Sequence, residues 1–449
     1  MENEKRKLAN MSPEEKRNLA KQLLQKQTRQ TKTLPAMPSQ QTEGEIPAEF
    51  YRFDLLSGYR ELQQQIEEML RINIQNPYFL AHEDVSNSTV SIAGREYINY
   101  SGYNYLGMSG DPIVSKAAKD AIDQYGTSVS ASRIVSGEIP LHSELEQELA
   151  NLVGVESCLV FVSGYATNVT TIGHLFGPKD LLLHDALIHN SVVTGCQLSG
   201  ARRIPFPHND WQALDNLLAE NRRYHERVLI IIEGVYSMDG DIPELPKFIE
   251  VKKRHKALIM VDEAHSSGVL GPRGFGIGEH FGIKGTDIDL WMGTLSKTFA
   301  SCGGYIAGCK EMIEYMKYTT PGAILYSVGV SPANAAAALA ALRVLKAEPE
   351  RVSRLQARSR LFLKLAQDRG LNTGLSGGSA VVPVILGDSI KSLQLGQRLF
   401  ERGINVQAML YPAVPEEEAR LRFFITAQHT EEQIKFTVDT VAEQLQELR

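Results

Sequence analysis

Seven short apolar runs constrain this chain more than any other feature: Cys158–Val162, Leu181–His184, Arg203–Phe206, Val228–Glu233, Ala257–Val261, Leu290–Gly293 and Tyr305–Gly308. None alternates apolar with polar residues. A strand with one wet face would alternate; a strand covered on both faces need not. Between the runs lie helical patterns at His142–Leu152, Ala166–Leu175, Trp211–Glu220 and Leu245–Arg254. That order predicts an α/β fold on an open, mostly parallel seven-stranded sheet with crossover helices.

The flanks differ. Residues 105–345 read as the large domain, closed by the Ala-rich helix Ala333–Lys346. Glu348-Pro349-Glu350 marks a boundary, and residues 346–449 read as a smaller α+β lobe. Its expected strands are Val381–Leu386, Ile404–Val406 and Leu421–Thr426, with a last helix from Thr430. Residues 49–104 read as an arm, with a helix over Tyr59–Arg71 and a hairpin around Ala93-Gly94. Residues 1–48 are a polar tail. Ser12-Pro13-Glu14-Glu15 caps a short helix there, reaching Leu24, and a Pro/Gln/Thr linker follows.

Composition narrows the function. A 449-residue chain with 43% apolar and 22% charged residues can bury a full core. A net charge of −6 offers no general attraction to nucleic acid or anionic lipid. No apolar run approaches the ~20 residues of a membrane span, and the polar start lacks a secretory core. A cytoplasmic enzyme is expected. Cys158, Cys196, Cys302 and Cys309 show no CxxC pairing and read as buried free thiols. His184 and His189 have no third ligand nearby in sequence, so no metal site is expected.

The chemistry gathers at strand ends. Lys297 follows the run Leu290–Gly293 inside a loop of small and hydroxylated residues. A lone loop lysine is ordinarily a solvated surface residue. Here Val261-Asp262-Glu263-Ala264-His265 ends another strand. One rim would then present an amine, a carboxylate and an imidazole, and such a lysine can form a Schiff base. Ser163-Gly164-Tyr165 is a tight turn into a helix, suited to a phosphate. Glu233–Asp241 passes from a strand end into a polar turn. Gly271–Gly285 lacks GxGxxG and reads as a mobile loop. Together these residues suggest an aldehyde cofactor carrying a phosphate: Lys297 holds the aldehyde, Asp262 a ring nitrogen, and Thr294 with the Ser163 turn the phosphate.

From Tyr97 to the C-terminus the chain resembles the α-oxoamine synthases, pyridoxal-phosphate (PLP) enzymes of the aspartate-aminotransferase fold (type I). The resemblance is carried by Tyr103–Gly107, Ser163–Asn168, Asp185–Ser191, Glu233–Asp241, Val261–His265, Thr294–Lys297, Ala419–Arg422 and Ala427–Thr430. It implies PLP as cofactor, with Lys297 its covalent anchor and acid/base, and Asp262 on the pyridine nitrogen. His265 would meet the phenolic oxygen, His189 would stack on the ring, and Ser237 would lie beside it. Ser163, Gly164, Tyr165 and Thr294 would hold the cofactor, and Ser327 would reach the phosphate from the other subunit of a homodimer. Arg422 would bind the amino acid carboxylate, with Tyr103 and Ser132 at the substrates.

The implied reaction is a decarboxylative Claisen condensation of an amino acid with an acyl thioester, giving an α-aminoketone. An aminotransferase or lyase on the same fold, or a non-catalytic scaffold subunit, are the alternatives. Several members have Asn where Tyr103 stands, and Gly126–Arg133 departs from the common GxGGSR pattern near the acyl site. Phe50–Tyr100 resembles domains of this family fused to modular polyketide synthases, and Ser12–Leu24 resembles a linker of such assembly lines. That implies a thioester carried on an acyl carrier protein.

Overall fold

A computed structural model describes residues 46–71 and 73–448. The expected helix over Ser12–Leu24 and most of the linker after it lie outside the described residues. The described residues divide into two compact units, one ending at Asn73 and one starting at Ile74. The described part of the first holds the helix Ser57–Arg71, two residues longer at its start than expected, with Tyr59, Leu62 and Leu70 exposed on it. The hairpin read into the same arm belongs to the second unit.

That hairpin is β1 (Thr89–Ile92) and β2 (Arg95–Asn99). Ala93 and Gly94 both take positive φ, the two-residue turn whose twist matches its strands. Next come β3 (Ser157–Phe161), β4 (Leu181–Asp185), β5 (Arg202–Phe206), β6 (Val228–Glu233), β7 (Leu258–Asp262), β8 (Leu290–Thr294) and β9 (Gly304–Gly308). Each lies within one or two residues of its apolar run. They form one seven-stranded sheet in the order β3-β9-β8-β7-β6-β4-β5. Only β9 runs against its neighbours; β8, β7, β6, β4 and β5 pair in parallel.

The central strands explain the missing alternation. Every residue of β4 and β6 is buried. One face packs with the helices Gly164–Leu175 and Asn190–Ser199, through Ile172, Phe176, Val192 and Cys196. The helix Pro332–Ala347 starts at a Ser331 cap, and its small side chains let it pack closely on Pro112–Tyr125.

β10 (Val381–Ile385), β12 (Gln407–Met409) and β13 (Arg420–Phe424) form a small antiparallel sheet with β13 in the middle. β11 (Ile404–Asn405) instead pairs in parallel with β2 of the hairpin. The last helix, Glu431–Glu447, opens with a Thr430–Gln433 capping box.

Two expectations are revised. All four cysteines are free, but only Cys158 and Cys196 are buried; Cys302 and Cys309 are exposed. Both exposed thiols lie in the turns flanking β9, beyond the two-sided cover of the sheet. The glycine-rich loop is pinned rather than loose. Glu279 accepts from the N–H groups of Arg273 and Phe275, and buried Glu263 from Ile277 N–H. No described helix is long and apolar enough to cross a membrane.

Candidate active site

Parallel strands bring their carboxyl ends to one rim, where ligands bind in open α/β sheets. Here β6 ends in Glu233, β7 in Asp262 and β8 in Thr294. Lys297 and His265 each follow three residues beyond a strand, and the helix from Gly164 starts just past β3. A cavity of about 220 Å³ opens between them. Tyr103, Ser163, Gly164, Tyr165, His189, Asp262, His265, Thr294 and Lys297 line it, with Asn168, Ser191 and Glu233.

Lys297 Nζ lies 2.6 Å from His265 Nε2 and 5.6 Å from the centre of the Tyr103 ring. Burial lowers its pKa to about 8, while Asp262 and Glu233 pull the other way. A lysine near neutrality can act as a nucleophile or a base. Burial also depresses His265, well below the ordinary imidazole range, and Lys297 and Arg422 add to it.

Asp262 is fixed by two donors: Asn168 Nδ2 at 2.9 Å and the Ala264 N–H at 2.9 Å. The remaining amide oxygen of Asn168 is buried without a partner. His189 Nδ1 lies 2.7 Å from Ser191 Oγ, and its backbone N–H donates to Glu233 at 2.7 Å. Burial lowers the His189 pKa. Ser163 caps the helix through Ala166 N–H at 3.2 Å. The first N–H groups of that helix have no carbonyl one turn earlier to bond, so they suit an anion.

Four expected residues fall outside the cavity lining. Arg422 is half-buried on β13; its Nη1 donates to the Ser237 carbonyl at 3.0 Å, and its Cζ lies 4.5 Å from the Phe424 ring centre. Its Nε is buried without a partner. Among the described residues it makes no ion pair. Ser237 thus meets Arg422 through its backbone. Ser132 precedes the π-helical turn Arg133–Gly137 and accepts its N–H groups through its carbonyl. Ser327 follows a second such turn, Pro321–Leu325, and its hydroxyl meets the Val328 carbonyl at 3.4 Å.

The residues present fit PLP. There is an amine for an aldehyde, a two-donor carboxylate for a pyridine nitrogen, and a capped helix start for a phosphate. Close by, one guanidinium is left unpaired. Sequence reading overlooked Glu233 as a site carboxylate, Asn168 as the brace of Asp262, and Tyr105, whose hydroxyl lies 2.7 Å from His265 Nδ1. Asn168 and Tyr105 sit inside quoted motifs; their partners lie far along the chain, where no spacing shows them.

A family model described as aminotransferase class I and II matches residues 95–441; the residues ahead of 95 lie outside it. The 8-amino-7-oxononanoate synthase of Fervidobacterium nodosum is 38% identical over 389 residues, covering 85% of this chain and 96% of that protein. The serine palmitoyltransferase of Sphingomonas wittichii aligns with a TM-score of 0.82 at 32% identity, over 87% of this chain and 98% of that one. A serine palmitoyltransferase solved with the PLP internal aldimine gives the same values.

Proposed function

Because the chain belongs to the α-oxoamine synthases, PLP-dependent acyltransferases among the class I and II aminotransferases, we propose that it joins an amino acid to an acyl thioester with loss of CO2. The products are an α-aminoketone, CO2 and a free thiol. The observation that carries this reading is the unpaired Arg422 guanidinium beside the Lys297 cavity. A guanidinium whose Nε is buried without a partner and which has no counter-ion is costly, and an amino acid carboxylate would relieve it.

Bound through Lys297, PLP supplies a protonated ring that withdraws electrons from the substrate's α-carbon. The chain's own residues do the rest. Asp262, held by Asn168 and Ala264 N–H, would keep the ring nitrogen protonated. His189 would cover one face of the ring. Ser163, Gly164, Tyr165 and Thr294 would hold the phosphate. Arg422 would clamp the substrate carboxylate, through two parallel N–H bonds. Lys297 would take the α-proton; an amine with a pKa of about 8 suits that task near neutral pH.

Two finer points belong to the same proposal. The acyl donor is a thioester on a carrier protein. The support is the separate N-terminal unit, which lies ahead of the family match and exposes Tyr59, Leu62 and Leu70 on one helix. The enzyme is also a homodimer with a shared site. Ile134, Val135, Tyr326 and Val328 leave apolar surface exposed along the two touching π-helical turns that flank Ser132 and Ser327.

Product analysis tests the reaction: an aminoketone and CO2 are expected, and a keto acid with amine exchange would mark an aminotransferase instead. Turnover with matched carrier-protein and CoA thioesters tests the donor, and faster turnover with CoA would refute it. Sedimentation analysis tests the dimer.

A further inference from the structure

Tyr105 is fully buried, and the reaction above leaves it without a task. Its hydroxyl lies 2.7 Å from His265 Nδ1, its one hydrogen-bond partner among the described residues. On the far side of the same ring, Nε2 lies 2.6 Å from Lys297 Nζ. These contacts fix where the protons sit. A phenol proton in a dry pocket needs an acceptor, and Nδ1 is the acceptor within reach. A ring nitrogen that accepts carries no hydrogen, so the neutral ring is protonated at Nε2. Nε2–H then points at Lys297. An amine accepts a hydrogen bond only through its lone pair, which an ammonium lacks. The opposite tautomer would strand the phenol proton.

We propose that Tyr105 is a positioning residue: by donating to His265 Nδ1 it pins the Nε2–H tautomer and so favours the free amine of Lys297. The inference rests on Lys297 being the reactive amine. Burial keeps both intermediaries neutral, raising the Tyr105 phenol and lowering the His265 imidazole. The other groups facing this pair divide. Asp262 and Glu233 favour a protonated Lys297, and Arg422 opposes it; His189 and Arg422 bear on His265. Tyr103 covers Lys297 with its ring. Tyr105 adds to the side that favours the free amine, without bringing a charge of its own.

Tyr105→Phe removes the hydroxyl and keeps the ring. In the full-length chain freed of PLP, acetylation of Lys297 by acetic anhydride can be followed against pH by peptide mass spectrometry. The wild-type midpoint is expected at about 8. The variant's midpoint is expected about one unit higher, a tenfold gain in proton affinity; an unchanged midpoint overturns the proposal. In a His265→Ala background, Tyr105→Phe is expected to move the midpoint no further, and an added shift would equally overturn it. Histidine 15N spectra of the wild-type chain need no variant: Nε2–H is expected, and Nδ1–H would refute the assignment. Product formed with an unmoved midpoint sinks this inference alone. A moved midpoint without product sinks the reaction instead.

Discussion

Glu233 and Asp262 face each other as the last residues of the adjacent parallel strands β6 and β7, so two carboxyl groups share one dry rim. Like charges at this range resist ionising together. Their surroundings are unequal. Asp262 receives two N–H donors and Glu233 one. Burial, and then Asp262, pushes the Glu233 carboxyl well above its usual range. Glu233 is therefore the member that keeps its proton more readily, and glutamine mimics that protonated form while still accepting from His189 N–H. Glu233→Gln is expected to keep kcat within a few-fold. Asp262→Asn is expected to lower it by ~100-fold or more, since a ring nitrogen held there would lose its carboxylate partner. Steady-state kinetics decide; equal losses would contradict this division.

His208 bridges the end of β4 and the turn after β6, with Nδ1 2.8 Å from Asp185 and Nε2 2.9 Å from Asp241. Burial alone would depress it, but the two carboxylates outweigh burial and raise its pKa to about 10. The folded value exceeds the unfolded one, so its stabilisation is full below about pH 6.5 and is lost as pH rises through about 10. His208→Asn is expected to cost ~3–5 kcal/mol at about pH 6, because two buried carboxylates lose their cation. The gap between wild-type and variant urea midpoints should close across that window. Taking the difference matters, since Lys297, with its lowered pKa, gains stability over part of the same range. A constant gap would mean that packing, not charge, is what His208 contributes.

The large sheet was legible because its strands are buried on both faces, so each run in Leu181–His184 or Val228–Glu233 stands out unbroken. The small sheet was less so. Gln407–Met409 is too short and too polar to stand out, and Ile404–Asn405, read as part of the small lobe, pairs with the hairpin instead. Lys297, Asp262 and His265 announced themselves by sitting at or just past strand ends. The Tyr105–His265 contact did not, because it joins residues far apart along the chain. Cys302 and Cys309 were misread because apolar neighbours in sequence do not guarantee cover in space.

Arg422 offers a planar fork whose Nε has no partner. Lysine would keep the charge and lose the fork. Arg422→Lys is expected to raise KM for the amino acid by ~10–100-fold, about 1.4–2.8 kcal/mol of binding. KM for the thioester should hardly move, since Arg422 would touch the other substrate. Initial-rate kinetics with each substrate varied in turn separate the cases. Matching rises in both constants would point to a disturbed fold rather than a lost clamp.

Gly304 opens β9 against the start of the helix Gly164–Leu175. A Cβ on Gly304 would lie 2.7 Å from Gly164 Cα and 2.5 Å from Thr167 Oγ1; one on Gly164 would lie 2.9 Å from Thr294 Oγ1. Backbone cannot swing aside as a long side chain can, so Gly304→Ala must push the helix start off the sheet. Overpacking of this kind costs ~1–3 kcal/mol. The same displacement turns the first N–H groups away from the phosphate position, and their hold on an anion falls off steeply with distance. Gly304→Ala is therefore expected to weaken PLP binding by ~10-fold or more and to lower the melting temperature. Gly177→Ala, with nothing within 4 Å of its added carbon, should change neither. Absorbance titration of PLP into the stripped chain reads the first effect and thermal melting the second. A variant that melts early yet binds PLP normally would show that the close approach serves packing and that the phosphate is held elsewhere.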